Sequence, residues 1–205
     1  MTKLYLIPPS ETKRSGWELL QRQTTFSFKL PKKRAVAARP IDLKCKDKRY
    51  AEAIKLNHMV DKSELMPAIS RYTGVMHTAI DYHALHPKAQ EYFNEHVLII
   101  SGMYGLLRPQ DMIANYKLPI DSKWLQEYRY KLITKALLKH CKERQITQII
   151  NLLPQVHQKV IDWKKIEKAW IEVSKKEFLE DGKKMGHAAK KSKGQRLRNE
   201  IEKNS

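Results

Sequence analysis

The residues from Ser101 to Arg108 combine side chains that could do chemistry with two glycines that permit a tight turn. They follow the apolar run Val97–Ile100 directly. If that run is a buried strand, Ser101, Tyr104 and Arg108 can converge at its end, a position suited to a binding site. The alternative is an ordinary connection in which Tyr104 packs in the core and Arg108 pairs with Asp111.

A second candidate is the loop after the N-terminal apolar run. Leu4–Ile7 is short, β-prone and ended by two prolines, so a strand there would deliver Ser10 and Lys13 into a loop. These two residues also have the S-x-x-K spacing of penicillin-recognising enzymes. Because the prolines oppose the helical turn which that chemistry needs, the spacing does not predict an acyl-enzyme.

Three histidines lie close together in sequence. His83 and His86 are near His77 and Asp81, but Pro87 interrupts the helix that would align them, and no further ligand has persuasive spacing. The sequence therefore predicts no obligatory metal, and no other cofactor is indicated.

The elements that must position these groups alternate between helix and strand patterns. Val97–Ile100 reads as a central strand, and Trp124–Glu143 has the clearest helical period. A helix over Lys88–His96 and a strand over Ile146–Leu153 are also predicted. The pattern predicts a mixed α/β fold, with a central mixed sheet flanked by helices. Weaker expectations are helices from Tyr50 and from Leu65, irregular structure over Gly16–Arg49, and a strand pair at Trp170–Val173 and Glu177–Leu179.

Charge is the strongest compositional signal. The 205 residues include 40 Lys and Arg against 22 Asp and Glu, a formal net charge of +18, which favours a polyanionic partner. A merely solvated basic surface is the alternative. The C-terminal cluster comprises Lys183, Lys184, Lys190, Lys191, Lys193, Arg196 and Arg198. Few aromatic residues interleave with it, so the pattern favours the backbone of duplex DNA over stacked single strands. A solvated tail is again the alternative.

The remaining composition bears on organisation and location. Residues 1–182 are expected to form one α/β domain, and the basic segment 183–205 either completes it or is partly disordered. No apolar run approaches the roughly 20 residues of a membrane span, and the N-terminus lacks a signal-peptide pattern. Cys45 and Cys141 have no nearby cysteine partner. A monomer or weak oligomer in the cytoplasm is expected, without membrane attachment.

Five ordered motifs resemble those of the YaaA family. The most specific is Ser-Gly-Met-Tyr-Gly-Leu-Leu-Arg-Pro-Gln-Asp at 101–111, followed by Asn115-Tyr116. The others are Pro-Pro-Ser-Glu-Thr-Lys at 8–13, Arg-Tyr-Thr-Gly-Val at 71–75, Ile-Ile-Asn-Leu at 149–152, and Ala-Lys-Lys-Ser-Lys-Gly at 189–194 with Arg198 downstream. The resemblance implies a mixed α/β fold of the family's own type. It also implies duplex DNA binding through a basic cleft and a helix-hairpin-helix-like element, and a part in limiting DNA damage when peroxide meets free iron.

Two functions follow as hypotheses from the motifs. In the first, the chain grips duplex DNA, with Arg108, Lys190, Lys191 and Arg198 as the principal contacts. In the second, an enzyme acts on a nucleotide or nucleobase in one cleft at the strand ends, and Lys13 or Tyr104 transfers a proton if its pKa is shifted towards neutrality. Association with RNA stays open, although no RNA-recognition module is visible. The residues expected around the cleft are Ser10, Lys13, Ser101, Tyr104, Arg108, Asn151 and Lys190.

Overall fold

A five-stranded mixed sheet forms the centre of the protein. The computed structural model describes residues 2–16, 25–26, 28, 31–175 and 186–205. Their strands are β1 (Lys3–Ile7), β2 (Leu65–Pro67), β3 (Val97–Ser101), β4 (Gly105–Leu107), β5 (Met112–Ala114), β6 (Gln148–Asn151) and β7 (Glu172–Lys175). The central sheet has the order β4-β3-β1-β6-β7, in which β4 alone is antiparallel to its neighbour. The predicted α/β class and mixed sheet are confirmed.

Helices cover both faces of this sheet. They are α1 (Lys32–Val36), α2 (Pro40–Leu43), α3 (Asp47–Met59), α4 (Ala68–Arg71), α5 (Val75–Ile80), α6 (Pro87–His96), α7 (Lys123–Glu143), α8 (Gln155–Gln158), α9 (Trp163–Lys168) and α10 (Gly186–Asn204). Side chains alternate along β1, so Tyr5 and Ile7 pack with α3 to α6 and α10, whereas Leu4 and Leu6 pack with α7 and α9. Both faces of a mainly parallel sheet are therefore buried.

The connections around β1 set the position of a crevice. From β1 the chain passes through helices on one face before it reaches β3, and α7 then leads over the other face to β6. The chain leaves β6 for α9, which packs on that second face with Leu4 and Leu6, so the adjacent strands β1 and β6 send their outgoing connections to opposite faces. Open α/β sheets bind ligands at this kind of switch point, outside the carboxyl ends of the strands.

Several predicted elements are confirmed and others differ. The strand at Val97 and the helices over 88–96 and 124–143 match β3, α6 and α7. The helix expected from Leu65 is wrong at its start, because Leu65–Pro67 pairs as β2 with β5. A residue that precedes a proline is pushed towards extended backbone, so the chain stays extended through Met66 and turns helical only at Ala68.

Two further segments differ from the predicted structure. The stretch 16–49 is not wholly irregular, since it contains α1, α2 and the start of α3; helices of four or five residues are too short to show a period. The strand expected from Trp170 begins instead at Glu172, because Trp170 has a positive φ of 60°. The strand expected at Glu177–Leu179 lies outside the described residues.

The C-terminal basic segment is helical from Gly186 and packs along α5. Leu197 and Ile201 are buried in the same core as Tyr5 and Ile7. At Gly194 a Cβ atom would lie 2.5 Å from the Met76 carbonyl oxygen and 2.8 Å from Ala79 Cβ, so the two helices meet closely there. The glycine of the Ala-Lys-Lys-Ser-Lys-Gly motif thus serves helix packing.

Candidate functional site

A cavity of about 650 Å³ opens at the carboxyl ends of β1 and β6. Its walls are the loop 8–13 after β1, the segment 73–77 at the start of α5, the segment 116–121, residues 154–157 where α8 begins after β6, and Lys190 of α10. This volume lies in the range of small-molecule and cofactor sites. The cavity occupies the switch point that the strand order defines.

The loop after β1 is fixed by hydrogen bonds to the segment that follows α4. Lys13 forms a bridge with Tyr72, and the Thr12 carbonyl accepts from the Thr73 amide at 3.1 Å. Ser10 is 8% exposed, and its hydroxyl lies 3.0 Å from that of Thr12. A Cβ atom at Gly74 would collide with Ser10 Oγ, so this glycine lets the loop approach α5. The backbone therefore presents Ser10 and Thr12 in a defined geometry.

Lys13 is half-buried in this cavity. Its Nζ donates to the Ser10 carbonyl at 3.0 Å and lies 4.3 Å from the centre of the Tyr116 ring and 5.5 Å from that of Tyr72. Desolvation, followed by repulsion from Lys117, lowers the Lys13 pKa to about 7. A substantial fraction of this side chain is thus a neutral amine near neutral pH.

A chain of hydroxyl groups lies beneath Lys13. The Tyr116 hydroxyl is 2.7 Å from that of Tyr72 and 2.8 Å from Ser101 Oγ, which accepts from the Tyr104 amide at 3.0 Å. Burial raises the Tyr116 pKa to about 12, so this phenol stays protonated at neutral pH. The chain orients the two aromatic rings that face Lys13.

Two cavity histidines, His77 and His157, each have a buried ring nitrogen. Within the described residues, neither His77 Nε2 nor His157 Nδ1 has a hydrogen-bond partner. Desolvation is the main cause that lowers the pKa of each imidazole to about 4, and the positive charge of Lys13 adds to the effect at His77. Both rings are neutral at pH 7 and can donate to or accept from a ligand.

The charged rim divides into paired and exposed groups. Lys117 donates to the Glu11 carboxylate at 3.0 Å, and Lys44 is paired with Asp121. Lys190 is exposed where α10 meets the cavity. The carboxylates of the rim are thus neutralised by lysines, and the cavity does not repel an anion.

The structure brings together some of the predicted site residues. Ser10, Lys13 and Lys190 line the cavity. Ser101 is fully buried and reaches the cavity floor through Tyr116, while Asn151 is buried at the end of β6, where its Oδ1 accepts from the Leu153 amide at 3.0 Å.

Other predicted residues lie away from the cavity. Tyr104 is 3% exposed, and its hydroxyl accepts from the Ala114 amide at 3.0 Å. Arg108 follows β4 beyond Leu107, which pairs with the middle of β3, and it is not a cavity residue. Lys191 is exposed on α10. A common pocket of Ser10, Lys13, Ser101, Tyr104 and Arg108 is therefore not formed, and binding roles for the outlying residues stay predictions.

Arg198 lies against the end of α5. Its guanidinium donates to the carbonyls of Ile80, Asp81 and Ala84 at 3.2–3.3 Å, to the Asp81 carboxylate at 3.1 Å, and to the Glu202 carboxylate at 3.1 Å. The last carbonyls of a helix lack intrahelical donors, so Arg198 supplies them. The structure gives this motif arginine a packing role.

Sequence reasoning missed several cavity residues. Tyr116 and Gly74 belong to quoted motifs but were not expected to form the site, and His77 was considered only for metal binding. His157 and Thr12 could have been found only from their position just beyond the ends of β6 and β1.

Among the described residues, no group of three or more His, Cys, Asp or Glu side chains could hold a metal ion. Over the same residues, no helix has both the length and the apolar character needed to cross a membrane.

The fold and cavity define a mixed α/β protein with a pocket that contains three lysines at the switch point of its parallel strands. A family model described as "Peroxide stress protein YaaA" matches residues 4–205, and the chain belongs to that family. A UPF0246 protein of Francisella tularensis subsp. novicida (strain U112) is 33% identical over 141 residues, which are 65% of this chain and 56% of the relative. A UPF0246 protein of Francisella philomiragia subsp. philomiragia is 31% identical over 134 residues, 62% of this chain and 53% of the relative. The chain thus spans about half the length of these curated relatives.

Proposed function

We propose that this chain binds duplex DNA in the cytoplasm during peroxide stress and limits iron-dependent damage to it. The family supports the link to peroxide. The observation that carries the binding proposal is the exposure of three basic side chains along α10, Lys190 at the cavity rim, Lys191 and Arg196. Exposed lysines and arginines neutralise phosphates without reading base sequence.

Packing against α5 fixes the helix that carries these side chains. Gly194 allows α10 to approach α5 closely, Leu197 and Ile201 are buried, and Arg198 bonds the end of α5. The basic side chains therefore project from a fixed helix. The sequence of α10 contains no Phe, Tyr or Trp, which favours a duplex backbone over stacked single-stranded bases.

A salt series with matched variants tests this proposal. Duplex affinity, measured by fluorescence anisotropy between about 50 and 200 mM salt, should fall about tenfold in Lys190→Gln/Lys191→Gln, and the salt slope should drop by about 2. Lys135→Gln/Lys142→Gln removes the same charge from exposed positions of α7, across the sheet, and should change affinity little. Equal losses in both pairs would reject a specific grip by α10, and no duplex binding at low salt would reject DNA binding.

A second candidate is catalysis on a nucleotide or nucleobase in the cavity. Lys13 favours it, because a lysine with a pKa of about 7 can accept and donate protons near neutral pH. Calorimetric titration with nucleoside monophosphates should give binding that Lys13→Met weakens and Lys142→Gln does not. Unaltered binding by Lys13→Met would remove the reason for this candidate.

A further inference from the structure

Lys13 differs from Lys117 and Lys44 in its surroundings. Lys117 and Lys44 each contact a carboxylate, whereas no carboxylate of the described residues lies within 4 Å of Lys13 Nζ. Its close hydrogen bond goes to a carbonyl, Ser10 O at 3.0 Å, and the faces of Tyr116 and Tyr72 lie beside it. The amine is thus held at the cavity wall by a carbonyl and two aromatic rings, and no carboxylate in the described part of the chain fixes it in an ion pair.

We propose that Lys13 Nζ is a nucleophile that condenses with a phosphorylated aldehyde to form an imine in this cavity. The inference deepens the second candidate function and rests on it. An amine that no described carboxylate pairs with, within a cavity large enough for a sugar phosphate, fits the aldehyde. Lys190 at the rim and Lys117 in the wall fit the phosphate.

The step balances with groups that the site and solvent supply. The nitrogen lone pair of the neutral amine attacks the carbonyl carbon, and a C–N bond forms. The carbinolamine oxygen takes up a proton and leaves as water, which yields the protonated imine. One aldehyde, one amine and one proton thus give one iminium and one water. The faces of Tyr116 and Tyr72 stabilise this cation as they stabilise an ammonium.

Two kinds of molecule could supply the phosphorylated aldehyde. One is a free sugar phosphate in its open-chain form. The other is the abasic deoxyribose of duplex DNA, an aldehyde flanked by phosphates, which would join the cavity to the proposed binding by α10.

Reductive trapping tests the proposal and separates the sources. The full chain is incubated at pH 7 with cyanoborohydride and either deoxyribose 5-phosphate or a duplex carrying one abasic site, and peptide mapping by mass spectrometry then locates the reduced adduct. We expect the adduct on Lys13 in at least one arm, and that arm identifies the source. The yield of adduct should be at least about tenfold lower in Lys13→Arg than in wild type, whereas Lys142→Arg should leave it unchanged. Adducts spread over surface lysines, or none on Lys13 in either arm, would overturn the proposal.

The pH profile gives a second readout that needs no variant. Adduct formation on Lys13 should be half-maximal near pH 7, whereas that on exposed lysines should keep rising towards about pH 10. Coincident profiles would also reject the proposal. Duplex binding without trapping in either arm would reject the imine and leave the DNA proposal standing. Trapping of the free sugar phosphate without duplex binding would support the imine and reject the DNA proposal. Nucleotide binding without trapping would retain only the second candidate.

Discussion

The cavity and the seam between α5 and α10 are neighbours, but they differ in how well their polar groups are hydrogen-bonded. In the seam, Arg198 donates to five acceptors and Gly194 lets the helix backbones touch. In the cavity, Lys13 is desolvated without a carboxylate, and buried nitrogens of His77 and His157 have no partner among the described residues. Unsatisfied buried groups lower stability, and they persist where a ligand can complete them. The seam has the character of a structural contact and the cavity that of a binding site.

The largest expected effect is at the seam. Gly194→Ala should lower the free energy of unfolding by about 3 kcal/mol, because its Cβ would meet the Met76 carbonyl, and this overpacking outweighs the gain of about 1 kcal/mol in helix propensity. Gly186→Ala is the matched control, since a Cβ there has open space, and it should be neutral or slightly stabilising. Urea unfolding measures both variants. Equal effects would contradict the close packing at the seam.

The stability of the protein should fall in acid because of the buried histidines of the cavity. An unfolded histidine binds its proton near pH 6.5, whereas the folded-state pKa of His77 is lowered to about 4, so the unfolded state binds more protons between these values. Stability should therefore fall as the pH drops from about 6.5 to 4. His77→Phe should reduce that fall by about 2 kcal/mol, and His58→Gln at an exposed position should not change it. Thermal unfolding across the pH range provides the measurement, and parallel curves for wild type and His77→Phe would be the contrary outcome.

The sequence predicts the secondary structure of this protein better than it predicts the side-chain contacts of the cavity. The elements could be predicted, because Val97–Ile100 and Trp124–Glu143 carry their periods locally. The loop 8–13 could be placed in the site, since prolines end a strand before it. Tyr116 could not, because its partners Tyr72 and Ser101 lie 44 and 15 residues away. No local pattern encodes such a pairing.

A smaller loss is expected when the seam loses its arginine. Arg198→Ala should cost about 1.5 kcal/mol, because the last carbonyls of α5 lose their donor and the Asp81 carboxylate its partner. Lys191→Ala, an exposed position on the same helix, should change stability by less than about 0.5 kcal/mol. Chemical denaturation at pH 7 distinguishes the two variants. An Arg198→Ala chain as stable as wild type would show that the bonds to α5 contribute little.

The smallest expected effect is a gain in stability when Lys13 in the cavity is replaced. The folded-state pKa of Lys13 is lowered to about 7 from an unfolded value near 10.4, so the unfolded state binds more protons in that window and stability rises with pH across it. Below pH 7 the full penalty remains, but the side chain is only half-buried, and Lys13→Met also removes its hydrogen bond to Ser10 and its contact with the Tyr116 ring. The net stabilisation at pH 6 should therefore be only about 1 kcal/mol. The gain should shrink towards pH 10. A destabilised Lys13→Met at pH 6 would indicate that the lysine contributes to folding.

The sequence by itself determined the strands, the long helices, the basic charge and the family motifs, because these depend on local periods and residue types. Only the tertiary structure decided what each motif residue does. It buried Tyr104 in the core, turned Arg198 onto α5, left Lys191 in solvent and placed Lys13 over Tyr116. The reason is physical: desolvation, ion pairing and hydrogen bonding depend on neighbours distant in sequence, so lysines of equal intrinsic basicity acquire different chemistry only when the chain has folded.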